Sequence, residues 1–287
     1  ARSAEGVKMA NELTETKSNN KMKKNVFLLA VMAIALLLTS GAKRPVTLFM
    51  VGDSTMADKT ELEASPERGW GQLFPTYLNE KIVVQNHAKN GRSTKSFLDE
   101  GRWAEVLNRA QKGDIVIIQF GHNDPKQADP DRYTPIKQFE KNLVKMITEA
   151  QAKDMQVILC TPIARRQWKD GDLMATHGGY PKSVKKVAAK MEVPVLDLET
   201  ATTDWLRQEG EEGSKQYFMN VAAGECTKYP DGKTDNTHLR EAGALKVGEM
   251  AAKMIVEQKL KPLSKYIVLP ASDAKYNTDR KSTRLNS

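Results

Sequence analysis

Ser54, Asp235 and His238 are side chains of the types that break esters or amides by acyl transfer. Ser54 sits in Gly52-Asp53-Ser54-Thr55, directly after the apolar run Val46 to Val51. A serine at a strand-to-helix turn exposes its hydroxyl and offers its own backbone N–H. Asp235 and His238 lie in Asp235-Asn236-Thr237-His238, just before the last helical pattern. Three residues apart on one helical turn, they would face the same way. The carboxylate can then hold the imidazole tautomer while the other ring nitrogen takes the serine proton. Two more segments offer donors for the resulting oxyanion. Gly91, in Asn86-His87-Ala88-Lys89-Asn90-Gly91-Arg92-Ser93, permits a loop whose N–H approaches a substrate closely. Asn123, in Gly121-His122-Asn123-Asp124, carries an amide that can point at developing charge. Taken singly, each segment has a plainer reading: a turn, a helix cap, a loop. Their joint placement gives them weight.

That placement follows from the elements between them. Short apolar runs at Val46 to Val51, Ile82 to Gln85, Ile115 to Phe120, Val157 to Cys160 and Val193 to Leu196 read as strands buried on both faces. Helical patterns alternate with them. The clearest covers Pro135 to Lys153, with Ile136, Phe139, Leu143, Met146, Ile147 and Ala150 at helical spacing. Others span Pro181 to Lys190 and Ala242 to Gln258. Such alternation predicts a parallel sheet wrapped by helices, with ligands at the carboxyl ends of the strands. The three segments holding Ser54, Gly91 and Asn123 each follow a strand there.

The four segments resemble the four blocks of the SGNH, or GDSL-type, hydrolases. Within them GDSTMAD, GRSTKSF, FGHND and DNTHLREAGA are similar to the rhamnogalacturonan acetylesterase group of carbohydrate esterases. The blocks run from Gly52 to Ala244. The resemblance implies a three-layer α/β/α flavodoxin-like fold with a five-stranded parallel sheet, and deacetylation of an acetylated plant cell-wall polysaccharide or oligosaccharide. It assigns Ser54 as nucleophile, Asp235 and His238 as the rest of the triad, and Ser54, Gly91 and Asn123 as oxyanion donors. No cofactor and no metal is implied. Rhamnogalacturonan is the expected substrate. An acetylxylan esterase or another GDSL-type esterase or lipase is the alternative.

Other residues are open to two readings. Trp70 is a sugar platform or is buried against the sheet. His177 lines a loop over the cleft or is an ordinary loop histidine, and His87 and His122 read as structural hydrogen-bonders. Arg92, Lys95, Arg165 and Arg166 are placed to bind uronate carboxylates; for Arg165 and Arg166 plain surface charge is favoured. Cys160 and Cys226 would meet an oxidising compartment on export, but a buried Cys160 without a disulfide is preferred. Two rival functions remain in view. A metal-dependent phosphoesterase would use Asp53, Asp124, Asp235 and His238, though Gly-His-Asn-Asp transposes that class's usual Gly-Asn-His-Asp. A non-catalytic carbohydrate-binding protein would use Trp70 and Arg92.

The ends account for most of the charge. Lys21-Met22-Lys23-Lys24, the apolar run Val26 to Leu38 and Thr39-Ser40-Gly41-Ala42 read as a signal peptide, placed at 22–42, with an uncleaved anchor as the alternative. Residues 1–21 read as upstream or vector-derived sequence. The apolar run is short for a membrane span, so a secreted or periplasmic protein without stable membrane insertion is expected. The hydrolase domain is placed at 43–262 and a C-terminal extension or linker at 263–278. Residues 279–287 (DRKSTRLNS) resemble one reading frame of a sequencing-library adapter and are read as non-biological. Of the 44 Lys/Arg and 36 Asp/Glu, the two ends hold nine and four, leaving 35 and 32 in residues 43–278. The formal +8 becomes +3. A nucleic-acid partner, which the whole-chain charge invites, is therefore not expected.

Overall fold

Successive side chains of a strand point to opposite faces, so a run that is apolar at every position needs cover on both sides. The computed structural model describes residues 44–270 and supplies that cover with helices. In chain order the elements are β1 (Val46–Gly52), β2 (Glu67–Arg68), α1 (Trp70–Leu73), β3 (Ile82–Asn86), α2 (Thr94–Asp99), α3 (Arg102–Arg109), β4 (Ile115–Gln119), α4 (Ile136–Gln151) and β5 (Gln156–Cys160). There follow β6 (Trp168–Lys169), β7 (Asp172–Leu173), α5 (Tyr180–Lys190), β8 (Val195–Leu196), α6 (Leu198–Gly213), β9 (Phe218–Val221), β10 (Lys233–Arg240) and α7 (Glu241–Glu257).

The central sheet has the order β3-β1-β4-β5-β8, with every pairing parallel. On one face Leu48, Met50, Ile115, Ile117 and Ile158 pack against Trp70, Leu206, Val247, Ala251 and Ile255. On the other, Phe49, Val51, Val116, Ile118 and Leu159 meet Phe97, Trp103, Phe139, Met146 and Val184. This is the three-layer α/β/α arrangement expected from the sequence, with its five-stranded parallel sheet.

Several features differ from expectation. A second, antiparallel sheet has the order β2-β10-β9. Its strand β10 (KTDNTHLR) contains the Asp-x-x-His segment, so Asp235 and His238 lie on an irregular strand and not on a helical turn. The short helices α2 and α3, and the longer α6, were not resolved by the periodicity. Residues 263–270, the described part of the expected C-terminal extension, pack on the domain. Leu263 is fully buried, Ile267 bridges Leu78, and the Val268 N–H donates to the Tyr77 carbonyl at 2.9 Å. Cys160 is buried, Cys226 is half-buried, and both are free thiols. The signal peptide, the upstream sequence and the adapter-like tail lie outside the described residues.

Candidate active site

Strand β1 delivers Ser54. Past its end the Asp53 carbonyl accepts the N–H groups of Met56 (3.2 Å) and Ala57 (3.0 Å), which winds the chain into a tight turn. The Asp53 carboxylate Oδ1 accepts the Thr55 N–H (3.0 Å) and hydroxyl (2.9 Å). Gly69 lets α1 close on this turn, because a Cβ there would sit 2.1 Å from the Ala57 carbonyl oxygen. Ser54 keeps 9% exposure, and its Oγ lies 2.9 Å from His238 Nε2.

The partner residues come from a bulge. The pairing of β10 with β9 sets Asp235 opposite Met219 and then Leu239 opposite Phe218. Residues 236–238 therefore have no counterparts and leave the ladder. Asp235 Oδ1 accepts the N–H groups of Thr237 (2.9 Å) and His238 (3.0 Å). Its Oδ2 lies 2.8 Å from His238 Nδ1 and 3.0 Å from Lys233 Nζ. Burial alone would raise the Asp235 carboxyl. The hydrogen bond and charge of His238, with the two backbone N–H groups, outweigh it and hold the carboxyl well below its ordinary range. With Nδ1–H donating to this carboxylate, Nε2 is the ring's acceptor and faces the Ser54 hydroxyl.

The two residues expected as further oxyanion donors, Gly91 and Asn123, lie in loops joined by the Asn123 amide. The loop after β3 is tied to β1 by the N–H groups of His87 and Lys89, which donate to Met50 (2.8 Å) and Gly52 (3.0 Å) carbonyls. Gly91 in that loop has φ +76°, a left-handed conformation that suits glycine. Asn123 is 3% exposed. Its Oδ1 accepts from Lys126 Nζ (2.7 Å) and its Nδ2 donates to the Arg92 carbonyl (3.0 Å). That fixes which way the amide points and leaves a second N–H for an incoming oxygen.

Two fully buried carboxylates lie beneath. Burial raises Asp53, but His122, 3.1 Å away, and the Thr55 donors bring it down to about 2. Asp124 accepts from the Thr94 N–H (2.8 Å), the Thr94 hydroxyl (2.6 Å) and the Gly121 N–H (3.1 Å). Burial, aided by the charge of Asp53, still pushes it up to about 7. The donor set of the metal-dependent alternative is thus separately engaged: Asp53 with His122, Asp124 with Thr94, and Asp235 with His238.

The expected substrate contacts fare differently. Trp70 is fully buried; its Nε1–H donates to Gln119 Oε1 at 2.9 Å and its ring packs edge-on against Phe74. It has no face to offer a sugar, which corrects the platform reading. His177 is 2% exposed and packs edge-on against His122 at 4.6 Å. Burial, with the neighbouring charges of His122 and Arg165, brings it down to about 2, so it is a neutral interior residue and not a cleft-lining one. Arg92 pairs with Glu100 at 2.9 Å and borders a cavity of about 210 Å³ that also touches Gly91 and Arg132. Lys95 pairs with Asp99 (3.5 Å) on the surface. Arg165 donates to the His122 carbonyl (2.9 Å). Arg166 is 4% exposed and not surface charge. It donates to Asn236 Oδ1 (2.8 Å) and Ser214 Oγ (3.0 Å), bracing the bulge. Nothing in the sequence marked this bracing role.

The site lies within residues matched to known proteins. The GDSL-like lipase/acylhydrolase family model matches residues 50–244, which include Ser54, Gly91, Asn123, Asp235 and His238. Rhamnogalacturonan acetylesterase RhgT of Bacillus subtilis (strain 168) is 38% identical over 227 residues, covering 79% of this chain and 96% of that protein. The probable rhamnogalacturonan acetylesterase YesY of the same organism is 32% identical over 222 residues, covering 77% and 97%. Among solved structures, Axe2, an acetylxylan esterase from Geobacillus stearothermophilus, matches with a TM-score of 0.53 at 20% identity, covering 74% of this chain and 96% of that one. That last likeness is one of fold. A family match over most of the domain and a relative matched along nearly its whole length lead to one conclusion: the chain belongs to the GDSL-like lipase/acylhydrolase family and is a carboxylic ester hydrolase.

Proposed function

We propose that the chain is an exported serine esterase that removes acetyl groups from plant cell-wall polysaccharide, with acetylated rhamnogalacturonan as substrate. The observation that carries this reading is the continuous line from Asp235 Oδ2 through the His238 ring to Ser54 Oγ, with contacts of 2.8 and 2.9 Å. RhgT and YesY, whose names specify rhamnogalacturonan acetylesterases, support the substrate class. Axe2 is named for acetylxylan but shares only the fold at 20% identity, so acetylxylan ranks second. The basic cluster and apolar run before residue 43 support export to a secreted or periplasmic location.

In this mechanism Ser54 Oγ attacks the acetyl carbonyl carbon while its proton passes to His238 Nε2. Asp235 orients the ring and stabilises the imidazolium that forms. The carbonyl electron pair moves onto oxygen, where the Ser54 and Gly91 N–H groups and the Asn123 amide donate to it. Collapse of the tetrahedral species breaks the bond to the sugar oxygen, which leaves with the proton from His238. Water then attacks the acetyl-serine, giving its proton to His238. Acetate departs and Ser54 recovers its hydroxyl.

Acetate release from acetylated rhamnogalacturonan, homogalacturonan and xylan, by wild-type protein and by Ser54→Ala, tests the reading. Release chiefly from rhamnogalacturonan, abolished in the variant, is expected. A fully active Ser54→Ala protein would overturn the mechanism, and preference for xylan would overturn the substrate.

A further inference from the structure

Lys59 lies five residues beyond Ser54, yet its side chain is only 9% exposed. An ammonium has three N–H donors, and here each meets an acceptor. Nζ donates to the Ser54 carbonyl at 2.6 Å and to Asn90 Oδ1 at 2.8 Å, and pairs with Glu67 Oε1 at 2.9 Å. The backbone of the same residue is gripped by Gln72, whose Oε1 accepts the Lys59 N–H (3.1 Å) and whose Nε2 donates to the Lys59 carbonyl (3.2 Å).

The three acceptors come from three separate segments, and each segment carries a different part of the site. Ser54 is the proposed nucleophile. Asn90 directly precedes Gly91, and its own carbonyl accepts from Arg92 Nη1 at 2.9 Å. Glu67 belongs to β2, which pairs with Leu239 and Arg240 immediately after His238. A buried ion pair is seldom a net source of stability, since an apolar pair of similar volume does as well. Burial draws the Lys59 ammonium below the ordinary lysine range even though Glu67 opposes this. The arrangement therefore gains more in geometry than in stability.

We propose that Lys59 is a positioning residue whose ammonium, through Asn90, sets the Gly91 N–H in register with Ser54 Oγ. This rests on the serine-esterase reading given above. A donor displaced by even an ångström from the oxyanion is expected to reduce turnover by up to about 100-fold, whereas substrate affinity does not depend on it.

The test measures kcat and KM on 4-nitrophenyl acetate for wild type, Asn90→Ala, Lys59→Met, the Asn90→Ala/Lys59→Met double variant, Lys59→Met/Glu67→Gln and Ser54→Ala. Asn90 is exposed, so Asn90→Ala retains the fold and should lose roughly tenfold in kcat with KM little changed. Lys59→Met leaves Glu67 buried without its cation. Lys59→Met/Glu67→Gln removes both charges, so it should melt near wild type while its kcat stays low. Because Lys59 acts through Asn90, Asn90→Ala/Lys59→Met should be no slower than Lys59→Met alone. Wild-type kcat in Asn90→Ala, or losses that multiply in that double variant, would overturn the assignment. If Ser54→Ala remains active, the esterase mechanism itself fails. If Ser54→Ala is dead and the Lys59 and Asn90 variants match wild type, only the role of Lys59 fails.

Discussion

Arg166 grips Asn236 at two points: its backbone N–H donates to the Asn236 carbonyl at 2.8 Å and its Nη1 donates to Asn236 Oδ1 at 2.8 Å. Asn236 is the first residue of the bulge that separates Asp235 from His238, so the ring's approach to Ser54 is set partly from outside β10. The guanidinium is itself anchored by Ser214 Oγ and the Glu211 carbonyl. Arg166→Met removes the side-chain half of this brace and leaves the Asn236 side chain unpaired. We expect a stability loss of roughly 1–3 kcal/mol and a lower kcat at similar KM. Thermal melts beside acetate-release kinetics check both. Wild-type turnover in this variant would separate the brace from the chemistry.

Asn123 offers a different kind of contribution. Its amide is already oriented by Lys126 and the Arg92 carbonyl, and in the proposed mechanism it meets charge that appears only in the transition state. Asn123→Ala should lower kcat by about 10²- to 10³-fold while KM stays close to wild type. A rise in KM with unchanged kcat would make Asn123 a substrate-binding residue instead.

The buried carboxylate beside Ser54 predicts a pH dependence of folding. Asp53 sits at about 2 in the folded chain, against an ordinary value of about 4. The folded state therefore binds fewer protons than the unfolded one. Its stabilising contribution, on the order of 2 kcal/mol, is complete above about pH 4 and disappears as pH falls through about 2. Asp124, raised to about 7, has the opposite sign: its contribution favours folding below about pH 4 and is lost as pH rises through about 7. Urea midpoints for wild type and Asp53→Asn should converge on acidification between about pH 4 and pH 2. Parallel curves across that interval would show that Asp53 does not carry the acid dependence.

The legible parts of this chain were those where burial writes a repeat. Strands β1 and β4 are apolar at nearly every position because both faces are covered, and the segments that follow them hold Ser54 and Asn123. Strand β10 could not be seen this way, because its residues serve the site and not the core; only Leu239 among them is fully buried. In α6 the buried positions are Leu198, Thr202, Trp205 and Leu206. The threonine, whose hydroxyl turns back to the Leu198 carbonyl, interrupts the apolar stripe. Trp70, open to two readings, and Arg166, favoured as surface charge, were ambiguous for a shared reason. A side chain with an apolar body and a polar tip suits an exposed site or a satisfied interior, and its partners, Gln119 and Asn236, are distant in sequence.

The bulged strand has one more consequence. The proposed nucleophile and oxyanion donors hang from the five-stranded sheet, while the proton acceptor hangs from the small antiparallel sheet formed by β2, β10 and β9. The proposed centre is thus shared between two sheets of different size, with Phe218 and Leu239 of the smaller packed into the same buried cluster as Leu48 and Met50 of the larger. Opening the smaller part draws the imidazole away from the hydroxyl while the larger one stays whole, and such local openings require less free energy than global unfolding. Activity is therefore expected to fail at a lower urea concentration than the global fold, and activity and unfolding curves that coincide would show that the two sheets open together.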